Sequence, residues 1–174
     1  MTKLTLTRAS LVASLSLLAL GCSSGSPGTT DGPVTTKTVV VNELFPGGAS
    51  AADPDWIELK NLTSATIDLG GYQIRDNAVA DLFTFPSGTN IAAGGYLLVY
   101  CDDQADGGVT GGVHVPWKLS ASNGDEVHLL NPGGAEIDMT SFGVDVPADK
   151  SWGRLPDGTG SFLRTTPTPG AANL

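Results

Sequence analysis

Short segments in which apolar and polar residues alternate run through this chain, and glycine and proline separate them at intervals of about ten residues. In the segment WIELKN, Ile57 and Leu59 fall on one face, whereas Glu58 and Lys60 fall on the other. Such alternation is typical of an antiparallel β-strand with one face in the core and one face in water. We therefore expect Ile57 and Leu59 in a core, and Glu58 and Lys60 on a solvated face.

Ten segments are predicted to be strands, and no part of the chain has a convincing helical periodicity. The predicted strands are residues 38–45, 56–61, 66–69, 72–76, 82–85, 96–101, 113–119, 126–131, 136–142 and 151–155. The 23 glycines and 11 prolines lie largely between these segments, as turn residues do. Short strands separated by turns are typical of a β-sandwich or a β-barrel, so the predicted fold class is all-β.

Six motifs follow one another along the chain in a characteristic order. They are VVVNELFP (39–46), DWIELKNLTSATIDLGGYQIRD (55–76), FTFPSGTNIAAGGYLLVY (83–100), NGDEVHLLNPGGAEIDMTSFG (123–143), SWGRLPDG (151–158) and TPTPGAAN (166–173). Together they resemble the lamin tail domain, which occurs in nuclear lamins and in many secreted bacterial proteins. The resemblance implies an immunoglobulin-like β-sandwich over residues 38–174.

Several residues of these motifs are expected to have structural roles. The three tryptophans should pack in the core or at its edge, because aromatic side chains bury a large area in a small sandwich. Arg154 is a candidate for an ion pair with Glu43 or Asp55. The paired glycines of the GGY motifs are interpreted as turn residues, since no phosphate-binding spacing surrounds them.

The first 21 residues are predicted to be a signal peptide. Lys3 and Arg8 give a positively charged start, residues 11–20 are mostly apolar, and small residues precede Cys22. The apolar run is about half of the ~20 residues that a membrane-spanning helix needs, which favours a cleaved leader over a retained anchor. We therefore expect the protein to be exported.

The sequence LALGC, which ends at Cys22, resembles the lipobox of bacterial lipoproteins. The resemblance implies that Cys22 carries a lipid and that residues 22–37 form a flexible tether rich in serine, glycine, threonine and proline. Each buried CH₂ of an acyl chain contributes about 0.8 kcal/mol to membrane binding, so a lipidated Cys22 would hold the protein on a membrane without a transmembrane helix. Ser23 resembles the sorting signal of outer-membrane lipoproteins. Ordinary cleavage, with a periplasmic or secreted product, is the alternative.

The chain is strongly acidic once the predicted leader is removed. Cleavage before Cys22 would leave 7 basic and 18 acidic residues, a formal net charge of −11. This charge repels phosphate backbones, so we do not expect nucleic acid as a partner. Cys101 is the only other cysteine. With Cys22 lipidated it has no disulfide partner in the chain, and we expect a buried free thiol at the end of a strand.

No constellation of residues indicates an enzyme. His114 and His128 lie in separate predicted strands and lack the spacing of a zinc site or a histidine-based triad. Residues 21–25 match GxSxG, but the match spans the predicted cleavage site and does not connect a strand to a helix. Asp102 and Asp103 lack the partner groups of a glycosidase. The chain is therefore predicted to be non-enzymatic.

The acidic segment beginning at Asp102 is the best candidate for a bound ion. Asp102, Gln104 and Asp106 occupy alternating positions before Gly107, as the first oxygen ligands of a calcium-binding loop do. The last position of such a loop requires a glutamate, and here it is Val113. We expect no cofactor, with calcium at Asp102, Gln104 and Asp106 as the alternative to an ordinary acidic loop.

Two classes of function fit these features. The favoured one is a non-enzymatic interaction module, tethered to the cell envelope, that binds an unknown protein or surface component. Binding would use the loops of the sandwich or an exposed strand edge. The alternative is an accessory domain that works with a separate secreted hydrolase or nuclease, because bacterial lamin tail domains often lie beside catalytic domains.

Overall fold

The computed structural model of this chain describes residues 37–50, 53–102, 109, 111–143 and 146–174. These residues form twelve strands and a short 3₁₀ helix at Val79–Asp81. The strands are β1 (Val39–Phe45), β2 (Asp55–Asn61), β3 (Ile67–Asp68), β4 (Gln73–Arg75), β5 (Phe83–Thr84), β6 (Asn90–Ile91), β7 (Tyr96–Cys101), β8 (Val113–Val115), β9 (Asp125–Leu130), β10 (Glu136–Phe142), β11 (Ser151–Leu155) and β12 (Ser161–Thr165). The predicted signal peptide, residues 1–21, and all but the last residue of the predicted tether, residues 22–37, lie outside the described residues.

Two β-sheets pack against each other. The larger sheet has the strand order β12-β11-β1-β2-β7-β8, and the smaller sheet has the order β10-β9-β4-β5. Neighbouring strands are antiparallel, except for the parallel pair of β7 and β8. Strands β3 and β6 form a separate two-stranded ladder. The predicted all-β fold class is confirmed, and no helix among these residues is long and apolar enough to cross a membrane.

All ten predicted strands are present, with some differences at their ends. Two strands were not predicted, namely the two-residue strand β6 and the five-residue strand β12. The side chains of β12 are largely exposed, and only Thr165 among them is buried. A strand of this kind lacks the alternation of buried and exposed positions from which the others were predicted.

The core lies between the two sheets and is mainly aliphatic. Ile57 and Leu59 are fully buried in it, as predicted. Around them pack Val39, Val41, Leu44, Leu69, Ile74, Phe85, Ile91, Val99, Val127 and Leu129. Burying one such side chain contributes about 1.5–3 kcal/mol, so this core is the main source of the stability of the fold.

The three tryptophans pack in the core or at its edge, as expected. Trp117 belongs to the core cluster, and Trp152 packs against that cluster. Trp56 is buried and stacks on Phe45, with the two ring centroids 5.4 Å apart. Each of the three side chains therefore contributes packing area to the sandwich.

The second face of β2 is buried as well, so the expected solvated face was wrong. Glu58 is 0% exposed, and Lys60 is partly buried. The backbone N–H of Gly170, near the C-terminus, lies 2.7 Å from Oε2 of Glu58. A segment distant in sequence thus covers the polar face of β2, which alternation within one strand cannot reveal.

A charged bridge joins the two sheets. Asp138 of β10 is 3% exposed, and both of its carboxylate oxygens lie 3.0 Å from Nη2 of Arg154 in β11. The same carboxylate accepts hydrogen bonds from Nζ of Lys37 at 2.6 Å and from the backbone N–H of Val41 at 2.8 Å. Arg154 therefore pairs with neither of the two acidic residues expected from the sequence.

Candidate functional site

Two buried glutamates lie side by side on the face of the larger sheet that points away from the core. Glu43 of β1 pairs with Glu58 of β2 in the antiparallel register, and both side chains are 0% exposed. The register of β1 shifts between Val41 and Glu43, and this bulge makes Asn42 an extra residue in the strand. Burying a carboxylate lowers the stability of the fold unless hydrogen-bond donors surround it. The groups that donate to Glu43 and Glu58 therefore show which parts of the chain these glutamates hold together.

Glu58 accepts two hydrogen bonds. Nδ2 of Asn42 donates to Oε1 at 2.8 Å, and the backbone N–H of Gly170 donates to Oε2 at 2.7 Å. Burial raises the pKa of Glu58 to about 7, and the negative charges of Glu43 and Asp157 add to the rise, while the two hydrogen bonds oppose it. The carboxyl group is therefore partly protonated near neutral pH.

The hydrogen-bond donors to Glu43 come from the last quarter of the chain. The hydroxyl of Ser151 donates to Oε1 at 2.5 Å. Thr168 donates to Oε2 twice, through its backbone N–H at 3.2 Å and its hydroxyl at 2.9 Å. Burial raises the pKa of Glu43, and these hydrogen bonds only partly offset the rise.

Hydrogen bonds of the same kind hold the C-terminal segment, residues 166–174, against the larger sheet. Nδ2 of Asn173 donates to the backbone oxygens of Asn42 and Arg154, each at 3.1 Å, and its backbone N–H donates to Asp157 at 3.2 Å. Gly153 leaves room for this amide, because a Cβ there would lie 2.9 Å from Nδ2 of Asn173. Both glutamates are 0% exposed, and protein donors engage both oxygens of each, so the network holds the C-terminal segment against the larger sheet.

The network continues from Asp157 to Lys60. Nζ of Lys60 lies 2.9 Å from Oδ2 of Asp157 and 2.7 Å from the hydroxyl of Tyr96, which itself donates to Asp157 at 2.9 Å. Burial alone would raise the pKa of Asp157, but hydrogen bonds from Lys60 and Asn42 outweigh it and lower the pKa. Asp157 is therefore ionised in the pH range in which Glu58 gains a proton.

The two histidines lie in different sheets, His114 in β8 of the larger sheet and His128 in β9 of the smaller. Nδ1 of His114 is 2.5 Å from Oδ1 of Asp102, and its Nε2 is 2.9 Å from the backbone oxygen of Gly111. His128 lies in the same way between two glutamate oxygens, at 2.6 and 3.2 Å. Each imidazole ring is therefore held at both nitrogens by oxygen atoms of the domain itself.

Cys101 is a buried free thiol, as predicted. It is 0% exposed at the end of β7. Burial raises its pKa well above the ordinary value, and the nearby carboxylates of Asp55, Asp102 and Asp125 raise it further. A neutral, inaccessible thiol cannot act as a nucleophile. Cys22, the predicted lipidation site, lies outside the described residues.

Of the three predicted calcium ligands, Asp102 is described, whereas Gln104 and Asp106 lie outside the described residues. Oδ1 of Asp102 is engaged by His114, and its buried Oδ2 has no hydrogen-bond partner among the described residues. The same residues contain no group of three or more His, Cys, Asp or Glu side chains that could hold a metal ion. Calcium at this loop stays a prediction.

The edges of the two sheets differ in how open they are to a partner. The longer edge strands are β12 in the larger sheet and β10 in the smaller, whereas β8 and β5 have three and two residues. The register of β10 with β9 shifts between Glu136 and Asp138, and Asp138 is a buried charge. A bulge and an inward-pointing charge are two devices by which proteins prevent an edge strand from pairing with another chain.

Strand β12 carries neither of these two devices. It pairs with β11 in unbroken register from Ser161 to Thr165. Leu163, near its middle, is 50% exposed. We call the unpaired side of this strand the β12 edge, and it is the candidate binding surface of the protein.

Comparison with known families agrees with the architecture. A family model described as Lamin Tail Domain matches residues 33–143. The chain belongs to the lamin tail domain family. The predicted immunoglobulin-like β-sandwich is thereby confirmed, and the lamin tail domain family is a non-catalytic one. Strands β11 and β12 follow the matched residues and complete the larger sheet of this lamin tail domain beside β1. No curated protein matches the chain significantly.

On the larger sheet of this lamin tail domain, sequence reasoning missed two features. One is the buried pair of Glu43 and Glu58, for which the Asn-Glu pair inside the apolar run VVVNELF was an available signal. The other is β12, whose sequence SFLRT lies between Gly160 and Thr166 and contains two adjacent apolar residues. The pairing of β12 with β11 could not be predicted, because the order of apolar and polar residues in the two strands does not specify which residues lie opposite each other.

Proposed function

We propose that this lamin tail domain is a non-enzymatic interaction module at the cell envelope, and that it binds an extended segment of a protein partner along the β12 edge. The observation that carries the proposal is the unbroken pairing of β12 with β11 beside the exposed side chain of Leu163. A segment that adds to such an edge gains main-chain hydrogen bonds, and contacts to alternate side chains supply specificity.

The side chains of β12 suggest the chemistry of the partner. Leu163 is half exposed, and Phe162 packs partly on the core while its ring centroid lies 4.5 Å from Cζ of Arg154. An apolar residue opposite Leu163 would cover surface that water contacts in the isolated domain. The formal net charge of −11 that cleavage before Cys22 would leave favours basic residues elsewhere in the partner segment and disfavours nucleic acid.

The proposed location is the outer membrane, with a lipid on Cys22 and residues 22–37 as the tether. The support is the sequence LALGCS at residues 18–23. Palmitate labelling of the wild-type protein that is lost in Cys22→Ser would agree with this location. Labelling that persists in the variant would contradict it, and absence of labelling in both proteins would indicate a periplasmic or secreted product.

Two matched variants test the binding surface. Leu163→Lys places a charge on the β12 edge, and Met139→Lys places the same charge on β10, where Met139 is 43% exposed. Both are introduced into the unlipidated Cys22→Ser protein, which serves as bait for affinity capture from envelope extracts. We expect Leu163→Lys to weaken capture of the partner roughly tenfold or more, as loss of a central interface contact does, and Met139→Lys to leave it unchanged.

Three results would contradict this surface. Equal capture of the partner by both variants and the parent would place binding in the loops. Loss of capture with Met139→Lys alone would place binding on β10. Equal loss with both variants would mean that capture depends on the net charge of the domain and not on either strand. The identity of the captured protein decides the role of the module. A secreted hydrolase or nuclease would favour the alternative, an accessory domain that works with a separate enzyme.

A further inference from the structure

A second binding site is indicated by a cavity of about 400 Å³ near the start of β1. Its walls include Lys37, Thr38, Tyr72, Asn131, Glu136 and Ile137. None of its lining residues belongs to β12, so this site is separate from the β12 edge and does not rest on the function proposed for that edge. The volume falls within the ~300–1,000 Å³ of cavities that hold small molecules.

Two tight turns form one side of the cavity. Oδ1 of Asn131 accepts hydrogen bonds from the backbone N–H groups of Gly133 at 2.9 Å and Ala135 at 3.0 Å, which fixes the turn between β9 and β10. The turn before β4 lies against it, because a Cβ on Gly71 would be 3.5 Å from Cβ of Pro132. Gly71 has a φ of +82°, a conformation that favours glycine. Both turns are set by their own chemistry, so the cavity is preformed.

The bulge in β10 brings two unlike side chains to the same cavity. Adjacent residues of a regular strand point to opposite faces of the sheet. The register shift between Glu136 and Asp138 makes Ile137 the extra residue, and both Glu136 and Ile137 line the cavity. A bulge that re-aims a side chain in this way is a common device beside binding sites.

The polar groups of the cavity retain capacity for hydrogen bonds of both kinds. Because Oδ1 of Asn131 holds the turn, its Nδ2 remains a donor for a ligand. The hydroxyl of Tyr72 has no partner within the part of the chain that the structure describes, so it can donate or accept. One oxygen of Glu136 contacts His128 at 2.6 Å, which leaves the other as an acceptor.

The charges of the cavity favour a neutral ligand. Lys37 and Glu136 are the charged residues among those that line it, and their signs cancel. Each is also paired already, Lys37 with Asp138 at 2.6 Å and Glu136 with His128 at 2.6 Å. An anion would be repelled by Glu136 and a cation by Lys37, so neither charge sign is selected.

We propose that this cavity binds a neutral sugar residue. A pyranose ring carries hydroxyl groups that both donate and accept around its rim, and a CH face that packs on apolar and aromatic surface. Asn131, Tyr72 and Glu136 supply the matching polar groups. Tyr72 and Ile137, which both pack against the core, supply the apolar surface. The sugar comes either free in solution or as one residue of a glycan chain, and the same contacts recognise both.

An NMR titration of the ¹⁵N-labelled Cys22→Ser protein tests the proposal. The probes are the methyl glycosides of glucose, galactose, mannose and N-acetylglucosamine, each compared with a trisaccharide of the same sugar. Glucuronate and glucosamine serve as the charged comparison sugars. We expect at least one to give saturable shifts confined to the amides around Tyr72 and residues 131–137 at concentrations up to roughly 10 mM, ten times a Kd of ~1 mM. Tighter binding of the trisaccharide identifies a glycan chain as the source, and equal binding identifies a free sugar.

Matched variants separate this cavity from unspecific association. Asn131→Asp keeps the oxygen that holds the turn and replaces the free donor by an acceptor, while Tyr72→Phe removes only the hydroxyl. Each should weaken sugar binding about tenfold, the cost of one hydrogen bond to the ligand. Asn123→Asp, which makes the same charge change in another cavity, and Tyr100→Phe should leave binding unchanged.

Three outcomes would overturn the proposal. They are the absence of shifts with every neutral sugar, binding of glucuronate or glucosamine alone, and equal weakening by the site variants and their controls. None of these outcomes affects the function proposed for the β12 edge, because Leu163 is not part of the cavity.

Discussion

Replacing Glu58 by glutamine removes a buried carboxyl group whose pKa is raised from 4.5 to about 7. In the unfolded chain the pKa returns to the ordinary value, so between about pH 4.5 and about pH 7 only the folded state holds the proton. The contribution of this group to stability is therefore fully present below about pH 4.5 and is lost as the pH rises through about 7. One pKa unit corresponds to ~1.36 kcal/mol, so the whole change is about 3 kcal/mol.

Glutamine carries no charge in either state, so Glu58→Gln lacks this pH dependence. Its amide NH₂ must face one of the two donors at the site, Nδ2 of Asn42 or the N–H of Gly170. That mismatch costs about 1–3 kcal/mol at every pH. The difference in unfolding free energy between variant and parent should therefore move by about 3 kcal/mol in favour of the variant between about pH 4 and about pH 8.

Urea denaturation of both proteins in pH steps measures this difference. Asp149→Asn is the control, because the Asp149 side chain is 79% exposed and its substitution should leave the pH profile of the parent unchanged. A difference between Glu58→Gln and the parent that stays constant from acid to alkaline pH would refute the reasoning, because it would mean that burial does not perturb Glu58.

Two further predictions concern buried groups. Asp138→Asn leaves the guanidinium of Arg154 without its buried carboxylate and should lower the free energy of unfolding by about 3–5 kcal/mol, measured by urea denaturation; a loss no larger than that of a surface ion pair, about 1 kcal/mol, would contradict the bridge. Cys101, which is 0% exposed with a raised pKa, should react with a thiol reagent only after unfolding, and stoichiometric reaction of the native protein would contradict its burial.

Alternation located the strands because most of them have one face in the core. Ile57 and Leu59 illustrate the success, since their positions follow from the period of two residues. Glu58 illustrates the limit, since the same period assigned it to water. Its burial depends on Gly170, which lies 112 residues further along the chain and reaches the sheet only in the folded state.

Partners across the sandwich were not predictable for a related reason. Arg154 meets Asp138, because β10 of the smaller sheet lies against β1, which is the neighbour of β11 in the larger sheet. Spacing in the sequence does not encode the packing of two sheets. The cavity beside Asn131 is similar, because it joins a hairpin turn, a strand bulge and the start of β1.

Amide hydrogen exchange of the domain, alone and with its captured partner, tests the central claim most directly. If a partner segment adds to the β12 edge, the amides of Ser161–Thr165 that are unpaired in the free domain should become protected in the complex, while those of Glu136–Phe142 should exchange as before. Unchanged exchange along β12 in a complex that is demonstrably formed would contradict the account.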